Sequence, residues 1–146
     1  GDGSGLAIDD PFAATLPDSH ELIRWDIGDQ GFAMHLSGEV PGRIAEALRD
    51  PAFRDVLTRN RLAGEIDAWA VHAGGRSILD AVSHGLDLAP DALSVSREVL
   101  RNFGNMSSST LMFALSGFMD GHPQAGVALA FGPGLAAEGF GFHWTN

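Results

Sequence analysis

Apolar and polar positions along the chain form short blocks whose periods predict strands and helices in turn. Residues 22–27 and 31–36 have the alternation of two strands, and Gly28-Asp29-Gln30 between them predicts a turn. Three further strands are predicted by apolar runs at residues 66–71, 125–131 and 135–142. The first of these runs is apolar enough for a strand that is buried on both faces.

Helical periodicity predicts five helices between these strands. A first helix begins at Val40, is interrupted at Pro51, and is followed by a short second helix that ends near Asn60. The other three cover residues 77–84, 91–103 and 107–118. Residues 9–19 fit neither period and predict an irregular loop. Strands separated by helices are typical of an α/β fold with a mostly parallel sheet flanked by helices.

Composition places the chain among ordered globular domains. It has 146 residues, of which 45% are hydrophobic and 19% are charged, as expected for one domain. Trp25 and Trp69 are predicted to lie in the core. The apolar runs are shorter than the roughly 20 residues that span a bilayer, and the first residues show no signal-peptide pattern. We therefore expect a cytoplasmic protein with no membrane partner.

Charge and cysteine content narrow the chemistry further. The net charge is −10 and all nine basic residues are arginine, so the chain has no overall field that attracts nucleic acid. No nucleic-acid partner is expected. Cysteine is absent, which excludes disulfides, thiolate metal sites and a cysteine nucleophile within this chain.

Three segments place polar or glycine-rich groups at the ends of predicted elements, where α/β folds carry their sites. His72-Ala73-Gly74-Gly75 follows a buried strand, Gly104-Asn105-Met106-Ser107-Ser108 precedes a helix, and Phe131-Gly132-Pro133-Gly134 joins two strands. Each segment alone also fits a structural role, as a satisfied histidine, a helix cap and a simple turn.

In combination and order, the three segments resemble the C-terminal half of the chalcone and stilbene synthase family, the type III polyketide synthases. Residues 76–82 and 96–100 are similar to the family as well, and the resemblance covers essentially residues 1–146. It implies a C-terminal domain of a thiolase-like fold, with the half that bears the cysteine nucleophile absent from this chain. It also implies an acyltransferase that condenses malonyl-CoA onto an acyl starter by decarboxylation.

The resemblance implies roles for individual residues. His72 matches the catalytic histidine of the family and Asn105 the catalytic asparagine, which together stabilise charge on a thioester oxygen. Met34 falls where plant members carry a gatekeeping phenylalanine, and Ser107 matches a residue that lines the cavity. Further substrate contacts are implied at the turn that shapes the cyclisation pocket, Gly132 and Pro133.

The loop after the histidine is implied to meet coenzyme A. Gly74 and Gly75 allow close approach of the pantetheine arm, and Ser77 lies at a helix start with free N–H groups. Arg76 stands where a neutral residue is common, and we expect it to supplement phosphate binding. The implied substrates are malonyl-CoA and an acyl-CoA, with no cofactor and no metal. The implied partners are the N-terminal half of the same enzyme and a second copy in a homodimer.

Two other interpretations remain open. A ketoacyl-acyl carrier protein synthase of the third type would usually spell the first motif His-Gln-Ala-Asn and the second Gly-Asn-Thr-Ser, so the spelling here favours the polyketide synthase. This chain also departs from the usual His-Pro-Gly-Gly, with Ala73 in place of proline. The second interpretation is a non-catalytic fragment that serves dimerisation. In either case we expect the isolated chain to be inactive.

Overall fold

The computed structural model describes residues 3–59 and 61–146. The strands in this part of the chain are β1 (Gly5–Thr15), β2 (Ile23–Gly28), β3 (Gly31–Leu36), β4 (Ala68–Val71), β5 (Gly126–Gly132) and β6 (Ala136–Thr145). The α-helices are α1 (Val40–Ala47), α2 (Pro51–Thr58), α3 (Arg76–Leu86), α4 (Ser94–Phe103) and α5 (Ser109–Ser116). The α/β class and all five predicted helices are therefore confirmed. None of the helices described is long and apolar enough to cross a membrane.

The main sheet has four strands in the order β1-β6-β5-β4, and β2 and β3 form a separate antiparallel hairpin. Strands β4 and β5 pair in parallel, whereas β5–β6 and β1–β6 are antiparallel. The mixed sheet flanked by helices is confirmed, but fewer of its strand pairs are parallel than expected. The reason is the connection between β5 and β6, because so short a turn can join only antiparallel neighbours.

The prediction of a loop over residues 9–19 is wrong for residues 9–15, whereas residues 16–19 form no helix or strand, as predicted. Residues 5–15 form β1, which pairs with β6 from Gly5↔Thr145 to Thr15↔Ala136. The register shifts between Asp9 and Phe12, at a bulge that contains Pro11. A bulge or edge strand accommodates proline, which has no N–H to donate, so the proline did not prevent strand formation here.

Apolar side chains fill both faces of the sheet. On one face, α1 and α3 pack over the alternating strand residues Val127 and Leu129. On the other face, Leu111 and Ala114 of α5 pack over a second cluster that includes Phe142. The strand residues of this second face are mostly alanines, which brings α5 close to the sheet: Ala68, Ala70 and Ala128.

Candidate active site

A cavity of about 770 Å³ opens at the carboxyl ends of β4 and β5. Its walls come from distant parts of the chain: the β1 bulge, the β2–β3 hairpin, the segment before α5, the N-terminal part of α5, and the β5–β6 connection. Polar groups at the strand ends therefore face a concavity with apolar walls, an arrangement that is common in binding sites.

Backbone hydrogen bonds fix the strand end that carries His72. Its N–H donates to the carbonyl of Leu129 in β5 at 2.8 Å. On the outer edge of β4, the Val71 N–H donates to Oγ of Ser96 at 3.0 Å, and that serine is fully buried in α4. The two bonds hold the backbone on both sides, so the imidazole projects from a rigid position.

The His72 imidazole is half-buried at the cavity wall. Its Nδ1 is buried and has no hydrogen-bond partner among residues 3–59 and 61–146. Burial lowers the pKa of His72 below its ordinary value of 6.5, because desolvation disfavours the imidazolium. In this chain the ring is therefore mainly neutral at pH 7, with one N–H donor and one acceptor nitrogen.

Asn105 is aimed at the same loop by its own hydrogen bonds. Its Nδ2 donates to the carbonyl of Gly74 at 3.1 Å, and its Oδ1 accepts from the N–H of Ser107 at 2.9 Å. The two bonds fix the orientation of the amide, since only nitrogen donates and only oxygen accepts. The preceding Gly104 has φ 72° and ψ −165°, a conformation essentially restricted to glycine, which turns the chain out of α4 towards this position.

The structure brings six of the predicted site residues to one cavity. His72 and Asn105 line it together with Met34, Ser107, Gly132 and Pro133. Met34 pairs with Trp25 across the hairpin, and Trp25 also lines the cavity. The prediction that Trp25 lies in the core is wrong: 51% of its surface is exposed, since its strand belongs to the hairpin and not to the central sheet. Trp69 is buried as predicted.

The four predicted coenzyme A residues lie outside this cavity lining. Gly74 and Gly75 could each accept a methyl group without a close contact to any described residue, so packing within the domain does not require glycine there. Arg76 and Ser77 are exposed in the first turn of α3, directly after the loop. Gly74 is hydrogen-bonded to both site residues: its N–H donates to the carbonyl of His72 at 3.0 Å, and its own carbonyl accepts from Asn105.

Several cavity residues escaped sequence reasoning. Glu138 and Phe140 of β6 line the cavity, as do Leu111 and Met112 of α5. The one available signal was Glu138, the single charged position in the apolar run 135–142. Ser96, which supports the strand before His72 and does not line the cavity, could not be identified from the sequence. Its role depends on the packing of α4 against the edge of β4. Among the residues described, no three His, Asp or Glu side chains cluster closely enough to hold a metal ion.

Chemically, the site presents an imidazole and an amide from two different elements beside a cavity with apolar walls. The sequence matches the family described as chalcone and stilbene synthases, C-terminal domain, over residues 11–145. The chain belongs to this family. Its thiolase-like fold and its position as the C-terminal domain of a type III polyketide synthase are confirmed.

Known relatives agree with this assignment. The chain is 33% identical over 141 residues to 1,3,6,8-tetrahydroxynaphthalene synthase of Streptomyces griseus, covering 93% of this chain and 37% of that protein. It is 32% identical over 143 residues to the alpha-pyrone synthesis polyketide synthase-like Pks18 of Mycobacterium tuberculosis, covering 94% and 36%. The crystal structure of PKS-I from the brown alga Ectocarpus siliculosus superposes with a TM-score of 0.86 at 31% identity, covering 96% and 40%. This polyketide synthase domain thus spans about two fifths of the length of these relatives.

Proposed function

We propose that this domain supplies the histidine and asparagine donors of a type III polyketide synthase that extends an acyl starter with malonyl-CoA. The observation that carries the proposal is the shared position of His72 and Asn105 on one cavity wall. The Asn105 amide is hydrogen-bonded to Gly74, two residues beyond the histidine, so the two donors are held relative to each other. We propose that an N-terminal half of the same enzyme supplies the cysteine.

The first chemical step that these donors assist is decarboxylation. The bond between the malonyl methylene and its carboxylate breaks, CO2 leaves, and the electron pair forms an enolate on the thioester. Negative charge develops on an oxygen that was a carbonyl. An imidazole N–H and an amide N–H aimed at that oxygen stabilise the charge, and losing one such donor typically costs roughly 3 to 4 kcal/mol.

The second step is condensation. The enolate carbon attacks the acyl-cysteine thioester, a tetrahedral oxyanion forms, and the carbon–sulfur bond then breaks to release the thiolate. A thiolate near His72 would favour the imidazolium and raise the pKa that burial lowers in this chain. Pairing with the imidazolium would in turn keep the cysteine ionised and nucleophilic.

Product formation by the complete enzyme tests the proposal. His72→Ala should lower the rate of polyketide formation from malonyl-CoA and an acyl-CoA by about 10²-fold or more. His84→Ala is the matched control, because His84 is exposed in α3 and lies outside the cavity lining. Equal rates for wild type and His72→Ala would contradict the proposal. The isolated 146-residue chain should form no polyketide, because it contains no cysteine to carry the acyl group.

The loop after His72 is proposed to meet coenzyme A, which would explain glycines that domain packing does not require. Ser77 lies in the first turn of α3, where unpaired N–H groups suit polar or anionic partners. Arg76 is exposed beside it and forms no ion pair within the described part of the chain.

We further propose that the complete enzyme is a cytoplasmic homodimer. In that enzyme, Arg76→Ala should raise KM for malonyl-CoA with kcat unchanged. Arg101→Ala, on the exposed side of α4, is the control, and an unchanged KM at low salt would overturn this role.

A further inference from the structure

Glu138 lies in the same row of the sheet as His72, with Ala130 between them. In the antiparallel pair of β5 and β6, Ala130 is the direct partner of Glu138. In the parallel pair of β4 and β5, Val71 is the partner of Leu129, and the next residue, His72, donates its N–H to Leu129. The register therefore places His72, Ala130 and Glu138 side by side across three strands.

The three side chains lie on one face of the sheet. Directly paired residues in an antiparallel ladder point to the same face, and residues two apart along a strand share it. All three residues line the cavity. Because neighbouring strands are about 4.8 Å apart, His72 and Glu138 are separated by roughly 10 Å at their backbones. The methyl group of Ala130 fills little of this gap, so the floor between the two polar groups is open.

Glu138 is also chemically distinct from its surroundings. Its side chain is exposed, and it forms no salt bridge to any cation in residues 3–59 and 61–146. The neighbouring walls are apolar, with Leu111 and Met112 from α5 and Phe140 from β6. Among the described residues that line the cavity, only His72 and Glu138 are titratable. A carboxylate in this position faces whatever occupies the cavity and is not engaged in holding the fold.

We propose that Glu138 is a catalytic residue for carbocyclic ring closure of the bound polyketide, a role that rests on the proposed function. The carboxylate takes a proton from a methylene flanked by two carbonyls. The resulting enolate carbon attacks a ketone carbon of the same chain, a carbon–carbon bond forms, and the electrons of that carbonyl move to its oxygen. Glu138 then returns the proton to this alkoxide. The step is an isomerisation that needs no further reactant, and the thioester stays intact.

Spacing and polarity support this assignment. His72 and Asn105 are proposed to act at the thioester end of the chain, and Glu138 lies about two strand spacings away along the open floor. A growing polyketide that extends from the thioester along this floor presents its inner methylenes to the carboxylate. The polyketide can also close a ring without Glu138, because an enol oxygen can attack the thioester and release a lactone.

The test compares products of the complete enzyme and its Glu138→Gln and Glu138→Asp variants. Malonyl-CoA consumption is measured together with chain length and the ratio of carbocyclic to lactone products by mass spectrometry and chromatography. Glu138→Gln should consume malonyl-CoA at nearly the wild-type rate and give the same chain length, while the carbocycle-to-lactone ratio falls by about tenfold or more, as expected for loss of a general base. Glu138→Asp should restore part of the ratio.

Glu98→Gln is the matched control, because Glu98 is exposed on α4 and its ion pair is with Arg101, one turn further along the same helix. It should leave the ratio unchanged. An unchanged ratio in Glu138→Gln, or an equal loss of consumption and of every product in a folded variant, would overturn the proposal for Glu138. So would a wild-type enzyme whose only ring product is a lactone. A wild-type enzyme that forms no polyketide would instead refute the proposed function itself.

Discussion

At the scale of single residues, the backbone before His72 depends on a side chain from another element. Among the strands described, β4 lies at the edge of the main sheet, and the Val71 N–H bonds to a side chain instead of to a strand. Ser96 accepts it at 3.0 Å, and both residues are fully buried. A buried N–H without a partner costs about 1–3 kcal/mol, so this serine stabilises the strand and positions the catalytic candidate.

Ser96→Ala should therefore lower the free energy of unfolding by about 1–3 kcal/mol. Ser94→Ala in the same helix is the control, because Ser94 is exposed and its loss should change stability by less than about 0.5 kcal/mol. Urea denaturation of the two variants measures the difference. Equal stability of the two would show that the Val71 N–H finds another acceptor.

The lowered pKa of His72 links stability to pH. Below pH 6.5 the unfolded chain binds a proton at this position before the folded chain does, so folding is disfavoured as the pH falls from 6.5 through the lower folded pKa. The wild-type domain should lose more stability between pH 7.5 and pH 5 than His72→Gln, which cannot titrate. Parallel denaturation curves measure this, and NMR titration of the imidazole gives the pKa. A His72 pKa at or above 6.5 in the isolated domain would be inconsistent with its burial.

At the scale of elements, the close contact between α1 and α3 depends on a glycine, which has no side chain. A Cβ at Gly85 in α3 would lie 2.7 Å from Cβ of Leu48 and 3.1 Å from the carbonyl oxygen of Ala45. The first distance is shorter than a Cβ atom tolerates and the second is tight, so a side chain at residue 85 would require α1 to shift. This packing covers one face of the sheet and supports the strand that ends at His72.

Gly85→Ala should destabilise the domain by about 1–3 kcal/mol, since the inserted methyl group forces α1 and α3 apart. Gly42→Ala is the matched control within a helix of the same pair, because a Cβ there meets no atom of a described residue within 4 Å. The control should be neutral or stabilising by about 0.4–1 kcal/mol, since alanine reduces the entropy of the unfolded chain. Thermal unfolding compares the two, and an unaffected Gly85→Ala would mean that α1 can shift without cost.

Local signals in the sequence were sufficient for most elements. The hairpin followed from alternation around the turn at residues 28–30, and α1 and α2 followed from a helical period broken at Pro51. By contrast, β1 could not be predicted, because its strand form depends on pairing with β6, at the opposite end of the chain. The prediction that Trp25 lies in the core was wrong for a related reason. A large apolar side chain usually indicates core, and only the tertiary structure shows that this hairpin lines a cavity.

The same distinction applies to the site. The family motifs indicated His72, Asn105, Met34, Ser107, Gly132 and Pro133, and these six residues meet at one cavity. Their roles remain predictions, as do those of the loop residues 74–77. Glu138 and Ser96 lie in stretches that resemble the family, but the resemblance implied no role for either residue. Their positions follow from strand register and helix packing, which arise only when distant segments come together.

At the scale of the whole molecule, segments that lie far apart in the sequence build a cavity whose walls are mainly apolar. The domain spans about two fifths of the length of its relatives. It holds the proposed donors in place by bonds within its own fold, but it contains no cysteine. We therefore propose that this domain stabilises the developing charge, and that acyl transfer requires the complete enzyme.

The most direct test is the rate of malonyl-CoA decarboxylation by the complete enzyme without a starter, since this step needs charge stabilisation but no acyl transfer. Asn105→Ala should lower kcat by about 10²–10³-fold, the usual cost of one donor to a developing oxyanion. Asn102→Ala, an exposed asparagine in the last turn of α4, should leave the rate unchanged. Asn105→Ala with a rate within a few-fold of wild type would show that this amide does not stabilise the enolate.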